Sequence, residues 1–102
     1  MKTNRVTAND LLRYIRNLNV KHNVDNGEAG SVYMEYARLP GRNGPLYRAG
    51  INSTTGNIHL TGLGTARETI EALRLKDWRR ILGVAKATSI PPNRRFAAKE
   101  TV

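Results

Sequence analysis

Three short strand-like segments in succession constrain the fold of this chain most strongly. Residues 31–39, 46–52 and 57–61 combine an approximate two-residue alternation of apolar and polar side chains with aromatic or β-branched residues. The segments between them are turn sequences: residues 40–45 contain two prolines and two glycines, and residues 53–56 end in a glycine suited to positive φ. Consecutive short strands joined by turns predict an antiparallel meander.

Helical periodicity flanks this meander on its N-terminal side. Thr7 is a good N-cap with Asp10 three residues later, and Leu11, Ile15 and Leu18 then recur along one stripe. This pattern predicts an amphipathic helix that begins near Thr7 and ends near Asn19, with arginines on its outer face.

A second helical region follows the meander. The segment Thr65-Ala66-Arg67-Glu68 matches a capping box. Two apolar stripes over the next twenty residues indicate either one helix packed on two sides or a break near Lys76-Asp77. The break is favoured, because a straight helix would bury Asp77. Gly83 is expected to end the region or to weaken its last turn.

These segments predict an α+β fold of order α-β-β-β-α, in which a three-stranded antiparallel meander packs on one or both helices. Residues 1–86 are expected to form a single globular domain. Residues 87–102 contain Pro91-Pro92 and three basic residues, so we expect a flexible basic tail there.

The charge balance indicates the class of partner. Seventeen Lys and Arg against eight Asp and Glu give a net charge of +9, and the basic residues are spread along the whole chain. A basic body of this kind favours a polyanionic partner, nucleic acid first. No secretory signal or membrane-length apolar stretch is visible, and there are no cysteines. These features predict a cytoplasmic protein without a membrane partner, nucleoid-associated if it is bacterial.

Candidate contact residues fall in three places. The meander offers the largest group as a possible nucleic-acid face, with tyrosines interleaved: Arg38, Arg42, Arg48, Asn52 and His59. The glycine turn at residues 62–65 is either a flexible turn alone or, with Arg67, a contact for one phosphate. Arg79 and Arg80 are a third candidate, with a solvated helix face as the alternative.

The sequence offers little for catalysis. His22 and His59 lack partners at metal-ligand spacing, and no serine lies in a nucleophile elbow. We therefore expect no enzyme activity, no catalytic residues, no metal site and no cofactor.

Residues 31–75 also carry a pattern of elements known from one class of DNA-binding domain. The pattern consists of Tyr47-Arg48-Ala49, a turn closing at Thr55-Gly56, Ile58-His59-Leu60, Gly62-Leu63-Gly64-Thr65, and a capped helix with Glu68 and Ala72. It resembles the three-stranded-sheet DNA-binding domains of tyrosine recombinases (N-terminal, binding arm-type sites) and of plant ethylene-response-type proteins.

The resemblance implies that the sheet enters the DNA major groove and that a helix packs behind it. It places Arg38, Arg48, Asn52 and His59 toward the DNA. The first helix is additional to the family pattern, so the sequence leaves open whether this helix covers the free face of the sheet.

The preferred hypothesis is a small non-enzymatic protein that binds nucleic acid, double-stranded DNA above all, as an accessory or regulatory factor of a phage or mobile element. One alternative is a protein-binding inhibitor or adaptor that docks on an acidic surface or on a nucleic-acid enzyme. Another is binding of single-stranded DNA or RNA through stacking tyrosines. The oligomeric state is left open.

Overall fold

The computed structural model describes residues 5–87 of the chain. Its helices and strands follow the order α1 (Ala8–Lys21), β1 (Val32–Ala37), β2 (Leu46–Ser53), β3 (Gly56–His59), α2 (Ala66–Arg74) and α3 (Trp78–Lys86). The predicted α+β class is confirmed, with a third helix where the sequence favoured a break. The tail predicted from residue 87 lies, from residue 88 onward, outside the described residues.

The strands form the predicted antiparallel meander, in the order β1-β2-β3. In the first ladder Val32 pairs with Ile51 and Glu35 pairs with Arg48; in the second, Gly50 pairs with His59. Gly56 closes the turn between β2 and β3 with φ +141°, as the sequence predicted. This register places Val32 and Ile51 on one face of the sheet and Glu35 and Arg48 on the other.

The core lies between the helices and one face of the sheet. Its fully or nearly buried members come from all three helices and from two strands: Leu11, Ile15, Leu18, Val32, Ala49, Ile51, Ala66, Leu73 and Ala85. Helix α1 packs against β1 and α2, while α2 and α3 pack against β2. The first helix therefore covers the apolar face, and within residues 5–87 no helix packs on the opposite, open face of the sheet.

Local capping explains where the helices begin. Thr7 with Asp10, and Thr65 with Glu68, both form complete capping boxes, as predicted. The break between α2 and α3 is also confirmed, because the Asp77 side chain caps α3 by accepting a hydrogen bond from the Arg80 amide at 3.3 Å.

Two helices run slightly farther than the sequence predicted, and Gly83 does not end the second helical region. Helix α1 continues past Asn19 to Lys21, and the chain then turns at Asn23, which has φ +58°. Helix α3 continues through Gly83 to Lys86. Ala85, in the last turn of α3, is fully buried, and its packing offsets the roughly 1 kcal/mol that a helical glycine costs.

The two tyrosines of β1 lie on opposite faces of the sheet. Tyr33 is on the open face, and Tyr36 is on the helix side but 66% exposed. Trp78 packs against the core, and its indole N–H donates to the Leu73 carbonyl at 3.1 Å.

Candidate nucleic-acid interface

Four of the predicted arginines lie at one end of the sheet. Arg38 and Arg42 are exposed in the loop that joins β1 to β2, and Arg48 follows near the start of β2. Two backbone hydrogen bonds join Tyr47 to Gly64: the Tyr47 N–H donates to the Gly64 carbonyl at 2.6 Å, and the Gly64 N–H donates to the Tyr47 carbonyl at 2.8 Å. This bridge brings the start of α2, and with it the exposed Arg67, to the same end. We call Arg38, Arg42, Arg48 and Arg67 the arginine quartet.

The open face of the sheet adjoins this quartet and is mainly polar, although Ala37 and Leu46 lie at its end. It carries Tyr33, Glu35, Arg48, Asn57 and His59, and the last two are exposed on β3. The Tyr33 side chain lies over Gly50, its pairing partner on β2. A Cβ added at Gly50 would lie 2.5 Å from the tyrosine hydroxyl. The glycine thus leaves room for an aromatic ring to lie flat across the sheet.

Tyr33 stays neutral on this face. Its hydroxyl is buried, with the Asn57 side chain beside it. Burial, and secondarily the Glu35 carboxylate, raise the pKa of the Tyr33 hydroxyl above its usual value of 10.0. Tyr33 therefore carries no negative charge at neutral pH, and what it adds to the open face is its ring.

Arg48 is neutralised on this face by its cross-strand partner. Its Nε donates to Glu35 Oε1 at 2.8 Å, and the two side chains are 35% and 43% exposed. A pair with this much solvent contact contributes at most about 1 kcal/mol to stability. The pair is therefore easily exchanged, and Arg48 can leave Glu35 for a phosphate or a base.

Asn52 has a structural contact that the sequence did not suggest. It shares the strand face of Arg48, but its Nδ2 donates to the hydroxyl of Ser31 at 2.8 Å, and Ser31 is fully buried. Ser31 in turn donates to the Glu28 carbonyl at 2.7 Å. The Asn52 amide thus anchors the loop before β1.

The capping box before α2 occupies two amides at the start of the helix. The Thr65 N–H donates to Glu68 Oε1 at 2.8 Å, and the Glu68 N–H donates to Thr65 Oγ1 at 3.1 Å. The Glu68 carboxylate also places negative charge beside these amides. The Glu68 carboxylate therefore disfavours a phosphate at these amides, and the Arg67 side chain is the better candidate for such a contact.

Arg79 and Arg80 lie apart from the quartet. Both are exposed in the first turn of α3. Helix α2, about 13 Å long for its nine residues, separates that turn from Arg67. The structure therefore divides the eight predicted contact residues into the quartet, the neighbouring His59, the structural Asn52, and this distant pair.

Two further features bear on the chemistry of residues 5–87. In this part of the chain no three His, Asp or Glu side chains gather closely enough to hold a metal ion. Nor does any helix here have the length and apolar character needed to cross a membrane.

Comparison of the chain with protein-family models, with curated proteins and with solved structures returns no match. The likeness to three-stranded-sheet DNA-binding domains therefore depends on the residues of this chain alone.

Sequence reasoning missed one feature, a groove between α1 and the outer edge of β1. Its lining includes Leu12 and Val20, which remain exposed on α1. The available signal was that Leu12 extends the apolar stripe beyond what the core requires.

Proposed function

We propose that this protein binds nucleic acid without enzymatic activity, and that its preferred partner is double-stranded DNA. The observation that carries the proposal is the arginine quartet beside an open, polar sheet face. The protein's small size and its charge would suit an accessory or regulatory factor of a phage or mobile element that acts in the cytoplasm.

The charge of the described part favours the same partner. Residues 5–87 include thirteen of the seventeen basic residues and seven of the eight acidic ones, so the folded part is itself basic. Arg38 and Arg42 have no ion pair within these residues. Exposed arginines without a carboxylate partner attract the phosphate backbone of a nucleic acid, and their binding releases its counterions.

The sheet supplies the groups that would face the bases. Arg48 can donate to guanine in a major groove, and Glu35 can accept from cytosine once the two separate. His59 and Asn57 add exposed donors and acceptors on β3. Arg38, Arg42 and Arg67 would then contact phosphates at the end of the sheet and fix the register on the duplex.

The first test compares two matched pairs of exposed arginines. One double variant combines Arg38→Ala with Arg42→Ala, and the other combines Arg79→Ala with Arg80→Ala. Each removes two positive charges, so the long-range attraction of the protein for nucleic acid falls equally in both. We expect the first double variant to flatten the plot of log affinity against log salt by about two units of slope, because each phosphate contact contributes about 0.9. The second should change the slope by less than half as much.

Fluorescence anisotropy with a short duplex at several salt concentrations measures both slopes. Equal losses in the two variants would contradict the quartet as the contact, and affinity independent of salt would contradict nucleic-acid binding as a whole.

A competition experiment separates the remaining alternatives. Single-stranded DNA or RNA that displaces duplex efficiently would favour the third hypothesis, in which exposed tyrosines stack on bases. Failure to bind any nucleic acid at physiological salt would favour the inhibitor or adaptor hypothesis.

A further inference from the structure

The outer edge of β1 is an exposed strand edge. Because β1 is the first strand of the sheet, only one side of it pairs with β2. In an antiparallel ladder, alternate residues point their backbone groups away from the partner strand. On β1 these are Val32, Met34 and Tyr36.

The side chain of Asn19 already pairs with the backbone of Val32, in the way that a neighbouring strand would. Its side-chain oxygen accepts from the Val32 N–H at 2.8 Å, and its side-chain nitrogen donates to the Val32 carbonyl at 3.1 Å. The backbone groups of Met34 and Tyr36 make no such bond with residues 5–87. Four backbone groups therefore remain open along this edge.

An apolar groove lies beside the same edge. It has a volume of about 560 Å³ and is bounded by α1, residues 24–26 and the first half of β1. Leu12, Val20, Val24 and Met34 line it, and Val20 is 73% exposed although it is apolar. An open strand edge beside apolar side chains accommodates an extended backbone with apolar residues at alternate positions.

A second copy of this chain fits the edge poorly. Antiparallel pairing of two β1 edges through Met34 and Tyr36 would place Glu35 directly opposite Glu35 of the other copy. Each chain also carries a net charge of +9, which opposes association of two copies. The same charge attracts an acidic segment, and Arg16 lines the groove beside one acidic residue, Asp25.

We propose that the α1–β1 groove binds an extended acidic segment of another protein, which adds to β1 as a fourth strand. The segment's backbone pairs with Met34 and Tyr36, its alternate apolar side chains pack on Leu12 and Val20, and its flanking carboxylates face the basic surface. The groove lies at the β1 edge and shares only Tyr33 with the open sheet face, so the proposal does not depend on the function proposed above.

The test uses a defined probe, the synthetic peptide acetyl-Glu-Asp-Val-Thr-Val-Thr-Val-Asp-Glu-amide, titrated into the full-length ¹⁵N-labelled protein. We expect saturable shifts of amides in α1 and β1, and slower hydrogen exchange at Met34 and Tyr36. Absence of saturable binding at millimolar peptide would overturn the proposal.

Two N-methylated probes test the strand geometry. One carries methyl groups on the valine nitrogens and the other on the threonine nitrogens, so only one of them blocks the nitrogens that face β1. We expect one probe to bind and the other to fail. Equal binding by both would contradict strand addition. A third probe with lysines in place of its acidic residues should bind more weakly, and equal affinity would contradict the acidic chemistry.

Matched variants locate the site. Val20→Glu removes an apolar contact and adds a repelling charge in the groove, and we expect affinity for the acidic probe to fall at least about tenfold. Val84→Glu makes the same change at a residue of α3 that is 60% exposed and does not line the groove. Both positions are exposed, so both variants should fold, as their amide spectra would show. Equal loss in the two variants would contradict the groove as the site.

Discussion

Arg48 and Glu35 together set how much positive charge the open sheet face presents. Their ion pair, 2.8 Å between Nε and Oε1, leaves that face nearly neutral, while Arg38, Arg42 and Arg67 keep the end of the sheet positive. A polyanion that approaches the face meets the Glu35 carboxylate as well as the guanidinium. At the scale of single residues, Glu35 would therefore weaken the binding of a polyanion to the sheet.

Glu35→Gln is expected to strengthen duplex binding roughly two- to fivefold, because it removes the carboxylate and releases Arg48 from a pair worth up to about 1 kcal/mol. Glu71→Gln, at an exposed position of α2, removes the same charge away from the sheet. Anisotropy titrations of both variants measure the difference. If Glu71→Gln strengthens binding as much as Glu35→Gln does, the sheet is not the contact face.

At the scale of secondary-structure elements, Asn19 joins α1 to the sheet. The apolar stripe of α1 supplies most of the packing, but burial alone does not specify where the helix lies along β1. The two hydrogen bonds from Asn19 to Val32 specify that position, since they saturate one residue of the strand edge.

Asn19→Ala should destabilise the protein by about 1–3 kcal/mol, because it leaves the partly buried Val32 amide and carbonyl without partners. Asn17→Ala, two residues earlier on an exposed position of α1, should be neutral or slightly stabilising, since alanine is the better helix former. Urea denaturation of both variants measures the difference. Equal stabilities for the two would show that the hydrogen bonds to Val32 contribute little.

At the scale of the whole molecule, the junction around His22 couples the end of α1 to α3. The His22 ring lies 5.2 Å from the Trp78 ring, centroid to centroid, and its Nδ1 is buried with no hydrogen bond to residues 5–87. Burial, and then the charges of Lys21 and Lys86, lower the pKa of His22 below 6.5. The folded state therefore binds a proton at His22 less readily than the unfolded chain does.

Stability should accordingly fall as the pH is lowered. The contribution of neutral His22 is fully present above pH 6.5, the value of the unfolded chain, and is lost as the pH falls through the lower pKa of the folded state. Urea midpoints at pH 5 and pH 8 measure this loss, which His22→Gln should reduce. His59→Gln, at an exposed histidine, should leave the loss unchanged. An identical pH dependence in wild type and His22→Gln would contradict the assignment.

Much of the fold was predictable because its signals are local. A capping box depends on residues three apart, a turn on a glycine such as Gly56, and a strand on side-chain alternation, so the elements and their order followed from the sequence. The continuation of α3 through Gly83 depends on a tertiary contact, because Ala85 is buried against the rest of the molecule.

The candidate site was predictable only as a set of basic residues. Asn52 and Arg48 share a strand face, yet Ser31, twenty-one positions from Asn52 in the chain, binds the asparagine. Nothing near Arg48 in sequence indicates that Glu35 neutralises it, because strand register creates that pair.

The sequence by itself determined the charge, the periodicity of each segment and the local caps, all of which act over a few residues. Only the tertiary structure decided which face of the sheet is open, which end of the sheet the start of α2 adjoins and where a strand edge is exposed. The physical reason is that these properties depend on contacts between residues far apart in the chain. The Tyr47–Gly64 bridge holds the start of α2 at the end of the sheet from which the β1–β2 loop extends, and the packing of all three helices on one face leaves the other open.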